Sequence, residues 1–252
     1  MDRKDSGAGT ITELTLGADE GDLDLGRAGD QLLPSPLDVD FHPILSMATS
    51  KIVGVDVQPR SAQLEDLDLQ TWRLMLLSSL MTTVRWRQRA LSERALFLNI
   101  TVGRRQLQDP ELDRSVRSAI AASGADPARL VLCLSDDALL HADDNRLVSL
   151  IRLEEARIHL GITGPYATTH AARHFDVLRF EQLRVPMQNA AGDPNVHRIV
   201  ARTHALGMAI VATGVTTESD LEDARRFGAV QSLGPLHSSA DLGTTSTADV
   251  PR

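Results

Sequence analysis

The chain has 252 residues, 42% of them apolar, a formal net charge of −8 and a single cysteine, Cys133. That length and apolar content suffice for one large α/β domain or two small ones. One cysteine excludes an internal disulfide and points to a reducing compartment, the cytoplasm. Ten acids against Arg3, Lys4 and Arg27 put −7 on residues 1–40 and leave about −1 on the remainder, which gives no electrostatic case for nucleic acid.

Residues 1–35 are rich in Gly and Asp, weakly periodic, and end in QLLPSPLD. They are expected to form a disordered acidic leader, removable with little loss of stability. There is no apolar stretch of about 18 residues and no apolar signal region at the N-terminus, so neither a membrane span nor a signal peptide is expected. The first predicted strand is DVDFHPI, residues 38–44. KIVGVDV, residues 51–57, follows as a buried strand with Gly54 permitting close backbone approach, Asp56 near its tip, and Pro59 and Arg60 just beyond. Asp56 and Arg60, or Arg60 and a neighbouring loop carboxylate, could pair to close that strand end.

A helix is predicted over residues 66–91. It is apolar around much of its circumference (Trp72, Leu76, Leu77, Leu80, Met81, Val84, Trp86), so one face is a candidate for a protein partner. Further strands are predicted at 95–101, 129–135, 157–163, 176–180, 208–213 and 229–233. Helices are expected at 111–123, 145–156, 194–206 and 217–227, with a short one near 168–174. Cys133 falls within an apolar strand and is expected to be a buried, inert thiol. His170 and His174 share one helical face but lack an adequate third ligand for zinc. The tail from Ser238 is small and polar and is expected to be loose.

This alternation predicts a (β/α) barrel spanning residues 36–237. No glycine-rich phosphate fingerprint follows an early strand, which disfavours an open doubly wound sheet. In such barrels, functional residues gather at strand C-terminal ends. The polar residues expected there are Asp56, Arg60, Asn99, Thr101, Ser135, Asp136, Thr163, Glu181, Thr213 and Gln231.

Several segments, in consistent order from about residue 41 to 237, resemble the EAL family of cyclic di-GMP phosphodiesterases. FHPILSMATSKIVGVDVQPR resembles the family's Glu-Ala-Leu strand and the arginine after it. LNITVGRRQLQDPEL resembles its Asn-Leu-Ser segment, and RLVLCLSDDALL its Glu-x-Thr-Glu strand. LGMAIVATGVTTESDLEDARRFGAVQSLGPL resembles its Glu-Gly-Val-Glu strand, the next helix and the Gln-Gly-Tyr strand. The resemblance implies a TIM-like (β/α)8 barrel of the EAL type. It also implies a site in which two Mg²⁺ or Mn²⁺ ions assist hydrolysis of one phosphodiester bond.

Under that resemblance the family's ligands map unevenly. The glutamate of Glu-Ala-Leu falls on Asp56 and the asparagine ligand on Asn99. The Glu-x-Thr-Glu positions become Cys133, Ser135 and Asp136. Asp-Asp-Phe-Gly, which bridges the metals, falls on HLGITGPYATTH, and no Asp or Glu occurs between Glu155 and Asp176. The lysine of Lys-Ile-Asp falls on Arg179, followed by Phe180 and Glu181, and no lysine exists beyond Lys51. The glutamates of Glu-Gly-Val-Glu become Thr213 and Thr216. Hard cations need several carboxylate oxygens, and two-metal hydrolysis needs a bridged pair.

The sequence therefore predicts no catalytic residue, no metal and no cofactor. It predicts an inactive EAL-like regulator in signalling or transcription control, acting through an unidentified protein partner, with a homodimer left open. The alternative is a non-hydrolysing cyclic di-GMP receptor of weak affinity; a residual phosphodiesterase is the remaining one. A ligand site, if one persists, would draw on Asp56, Arg60, Asn99, Asp136, Arg179, Glu181 and Gln231, with Arg60 and Gln231 as its anchors, and tight binding would require Gln231, Glu181 and the Thr163–Thr169 loop to hold the guanine bases.

Overall fold

A computed structural model describes residues 39–60, 67–89, 96–163, 174–188 and 190–238. The leader, His170, most of the Thr163–Thr169 loop, most of the expected helix near 168–174 and nearly all of the tail lie outside them. Eight strands close a barrel in chain order. They are β1 (Val39–Ser46), β2 (Ile52–Pro59), β3 (Phe97–Val102), β4 (Leu130–Ser135), β5 (His159–Thr163), β6 (Phe180–Pro186), β7 (Ala209–Thr213) and β8 (Gln231–Ser232). β1 runs antiparallel to both neighbours, β2 and β8, and all other pairings are parallel. The helices used below are α1 (Leu69–Arg89), α2 (Arg104–Leu107), α3 (Leu112–Ser123), α4 (Asp136–Leu140), α5 (Asp144–Glu155), α6 (Pro194–Ala205), α7 (Glu218–Arg226) and α8 (Pro235–Ser238).

Strand alternation divides the side chains into two environments. Val55, Val57, Leu98, Ile100, Leu132, Leu134, Leu160, Ile162, Leu183, Val185, Ile210 and Ala212 face outward. They merge with Trp72, Leu76, Leu80, Val116, Leu150, Leu153 and Ile199 of the helices into one apolar layer. The residues between them face inward, and several are polar: Asp56, Asn99, Gln182, Arg184 and Gln231, all at most 4% exposed. The main hydrophobic layer thus lies between barrel and helices, while these buried polar groups share the rest of the barrel with two small apolar clusters, Ile44, Val53, Val211 and Leu233, and Phe97, Val131 and Cys133.

Most of the apolar girth of α1 is taken up by this layer; Leu74 is exposed and Leu77, Met81 and Val84 are partly buried. Trp72 is fully buried, and its indole nitrogen donates to the Thr101 carbonyl at 2.9 Å, joining α1 to the end of β3. Gln106 of α2 donates to the Leu67 carbonyl and accepts from the Gly103 backbone N–H, fixing the loop after β3.

Gly54 does permit a close approach. A Cβ at this position would lie 2.8 Å from the Phe97 carbonyl oxygen, a backbone atom that cannot rotate away. Gly54→Ala is therefore expected to cost about 1–3 kcal/mol through overpacking. A urea titration would check this, and a loss below about 0.5 kcal/mol, the range of harmless surface changes, would contradict it.

One strand departs from expectation. The strand read from DVLRF is β6, and it begins only at Phe180. Asp176–Leu178 instead turn, with the amides of Val177 and Leu178 both bonding back to the His174 carbonyl. The inward residues of β6 are Gln182, Arg184 and Pro186, so the strand lacks the apolar run that betrays the others.

Candidate functional site

The C-terminal ends of the parallel strands form one rim of the barrel, and β1, being antiparallel, contributes its first residues there. Gln58 and Arg60 close β2 at this mouth, and Asp40 lies opposite Gln58 in register. Arg60 donates through Nε and Nη2 to Asp40 Oδ1, at 2.9 and 2.7 Å. Both side chains are substantially exposed. The strand-end partner of Arg60 is thus a strand carboxylate of β1 and not Asp56, because the antiparallel β1 brings Asp40 to the same rim.

Asp56 lies deeper. Its carboxylate receives Arg184 Nη1 at 2.7 Å on Oδ1 and Gln58 Nε2 at 2.9 Å on Oδ2. Asp56 and Arg184 come from β2 and β6 and pair inside the barrel, with side chains only 2% and 5% exposed. Burial works most strongly against a charged guanidinium, but the Asp56 carboxylate, helped by Cys133 and by the hydrogen bonds to both, holds Arg184 above even the usual arginine range. Asn99 stands beside Asp56 on β3 in register. Its Nδ2, like Arg184 Nε, has no partner among the described residues.

The layer continues around the wall. Gln182 donates to Cys133 Sγ at 3.2 Å, passing over Gly161, where a Cβ would meet Gln182 Cγ at 2.7 Å. The glycine on β5 is what lets Gln182 reach β4. Cys133 is fully buried, and burial pushes its thiol pKa up, as expected for an unreactive sulfur. Ser135 spends its hydroxyl on the Ala138 amide as N-cap of α4, and Asp136 follows it at the mouth as the first residue of that helix. Gln231 opens β8 beside Ser46 and Val211, inside the wall and buried, instead of ending a strand at the rim.

Arg179 and Glu181 lie elsewhere. Arg179 precedes β6 and Glu181 is its second residue, which places both at the rim opposite the mouth. Glu181 contacts His159, the first residue of β5, at 3.7 Å and Arg179 at 3.3 Å, and the Arg179 amide donates to Glu154. The expectation that these two residues join Asp56 fails because the strand starts later than its sequence suggests. The inward basic residue of β6 is Arg184. A charged residue set between Leu183 and Val185 was the signal available in the sequence.

This far-rim cluster carries a pH dependence. The His159 ring beside it, then Arg179, hold the Glu181 carboxyl below its ordinary pKa, with partial burial opposing them. A depressed carboxylate stabilises the fold above its unfolded pKa of about 4.3, and that contribution is lost as pH falls through the lower folded value. Glu181→Gln should therefore be less stable than the parent at pH 7 by chemical denaturation, with the gap closing in acid. A gap that widens in acid would contradict the assignment.

His174, the described member of the predicted histidine pair, bonds the Leu139 carbonyl through Nε2 at 3.2 Å. Among the described residues no group of three or more His, Cys, Asp or Glu side chains is placed to hold a metal ion, and no helix is long and apolar enough to cross a membrane.

The family model described as EAL domain matches residues 31–240. No curated protein matches the sequence. Among solved structures, the EAL domain of Mycobacterium smegmatis DcpA is similar at 21% identity and a TM-score of 0.69, covering 80% of this chain and 92% of that one. PaMucR phosphodiesterase in a c-di-GMP complex is similar at 20% identity and a TM-score of 0.69, covering 88% and 95%. The EAL enzyme Bd1971, bound to cAMP and cyclic di-GMP, is similar at 13% identity and a TM-score of 0.69. The match takes in 80% of this chain but only 61% of Bd1971.

Proposed function

Because the chain belongs to the EAL domain family, we propose that it is a catalytically inactive member, a regulatory module that works through protein contacts. The observation that carries this reading is the buried Asp56–Arg184 pair. Asp56 is the residue on which the resemblance places a metal-binding glutamate. Its two oxygens accept from Arg184 and Gln58, so a cation would have to displace a guanidinium already neutralising the carboxylate. The other positions offer little compensation. Cys133 is a buried thiol, Thr213 ends β7 with a hydroxyl, and the stretch between Glu155 and Asp176 contains no carboxylate in any register. These donors do not fit a pair of divalent ions, which require several anionic oxygens and a bridge between them. No hydrolytic step is derived through such ions.

A second reading, a receptor that binds cyclic di-GMP without cleaving it, has Arg60 at the mouth in its favour. Against it, Arg60 is engaged by Asp40, and the interior below is filled by a neutral ion pair. A single exposed charge-assisted contact contributes about 1.5–3 kcal/mol, which corresponds to affinity far weaker than micromolar. Titration with fluorescent cyclic di-GMP, with and without Mg²⁺, separates the readings. Weak or undetectable binding in both conditions is the expected result. Tight metal-independent binding, lost in Arg60→Ala, would move the assignment to the receptor.

A further inference from the structure

A groove on the outer surface runs between α3 and α5, lined by Asp113, Arg114, Arg117, Ser118 and Ala121 of α3 and by Arg152 of α5. Three of the six lining residues are arginines. The one carboxylate, Asp113, is held by Arg117 Nε, and Arg117 Nη2 also donates to the Arg152 carbonyl at 3.0 Å, tying the two helices together. Arg114 contacts Glu111 at 3.2 Å, but that pair is open to water, with side chains 82% and 54% exposed, so solvent screens it and little free energy holds it. The lining residues carry an excess of two positive charges, alongside the small, exposed side chains Ser118 and Ala121.

We propose that this groove receives the acidic segment of residues 19–25, DEGDLDL, of the same chain. Three observations select that occupant. The segment carries Asp19, Glu20, Asp22 and Asp24, and no basic residue occurs between Lys4 and Arg27; the equally acidic run Glu218–Asp223 is built into α7, so this is the most acidic run outside the described residues. Leu23 and Leu25 alternate with Asp22 and Asp24, so seated in extended form the segment would turn Glu20, Asp22 and Asp24 to one side and the two leucines, with Asp19, to the other. That suits a lining that combines arginines with the small Ser118 and Ala121. Finally, the chain enters the barrel at Val39 on the mouth rim, the end from which β3 leads into α2 and α3. The thirteen residues between Leu25 and Val39 can span roughly 45 Å when extended, against a radius of gyration of roughly 18 Å for a chain of this length. Bidentate arginine–carboxylate pairing supplies specificity, and the contact is salt-sensitive because it lies at the surface. The inference stands independently of the proposed function.

The test uses the full chain with Leu23→Cys carrying a nitroxide label. Cys133 is fully buried and does not compete for the label. In isotope-labelled protein, amide signals of Ser118, Ala121 and Arg152 are expected to lose intensity, and to recover in about 1 M NaCl, where charges are screened beyond roughly 3 Å. They should also recover in the double variant Arg114→Glu, Arg152→Glu, whose sites are exposed and so leave folding intact. No intensity loss at the groove, or loss centred on another face, overturns the proposal. Loss that appears when spin-labelled chains are mixed with isotope-labelled chains lacking the spin label, and fades on dilution, also overturns it by making a second copy the occupant.

Discussion

Arg184→Met is expected to cost about 3–5 kcal/mol of stability, the usual consequence of removing one partner of a buried ion pair. The reason lies in what remains. Asp56, at 1% exposure, would be left with only the Gln58 amide as a hydrogen-bond partner among the described residues, an under-satisfied polar group in the barrel interior. A single substitution of that size is a large fraction of the stability of an ordinary domain. The double variant Asp56→Leu, Arg184→Met should recover most of the loss, since replacing both members of a buried pair by apolar groups is often neutral or stabilising. Equilibrium urea denaturation of the parent, both single variants and the double closes this cycle. A loss under about 1 kcal/mol in Arg184→Met would show that the pair behaves like an exposed one.

Purified protein is expected to show no turnover of cyclic di-GMP or its linear dinucleotide with Mg²⁺ or Mn²⁺ above a protein-free blank. Two-metal hydrolysis depends on ions that stabilise the attacking and leaving oxygens together, so losing the ions removes the chemistry and not merely part of its rate. The same argument gives a readout independent of activity. An ion bound at one hundred times its dissociation constant would stabilise the fold by about 2.7 kcal/mol, so millimolar Mg²⁺ or Mn²⁺ should leave the melting temperature unmoved. Turnover that EDTA abolishes, accompanied by a metal-dependent rise in melting temperature, would refute the inactive assignment.

Much of the fold was legible because its strands are short apolar runs with clear stops. KIVGVDVQP, ALFLNIT and RLVLCLS have outward residues that are continuous Val, Ile and Leu, since the helices cover that face. Where inward residues are also small or apolar, the whole run reads as a strand. β6 was misplaced because half its residues face a polar interior, while the neighbouring DVLRF carries enough apolar character to imitate a strand and instead turns. That shift of a few residues moved Arg179 and Glu181 on paper from one rim of the barrel to the other. It also hid Arg184.

By itself the sequence determined the strand–helix alternation, the barrel it implies, and which oxygen ligands are present at all. A carboxylate missing from residues 156–175 stays missing in every register. Only the tertiary structure decided which charges meet. Asp56 and Arg184 stand 128 positions apart and pair because closure of the barrel faces β2 and β6 across one interior. Arg60, four residues from Asp56, pairs instead with Asp40, because the antiparallel β1 returns that carboxylate to the mouth. Local patterning sets which face of a strand is apolar, but partners within the barrel depend on register and closure, which are properties of all eight strands together.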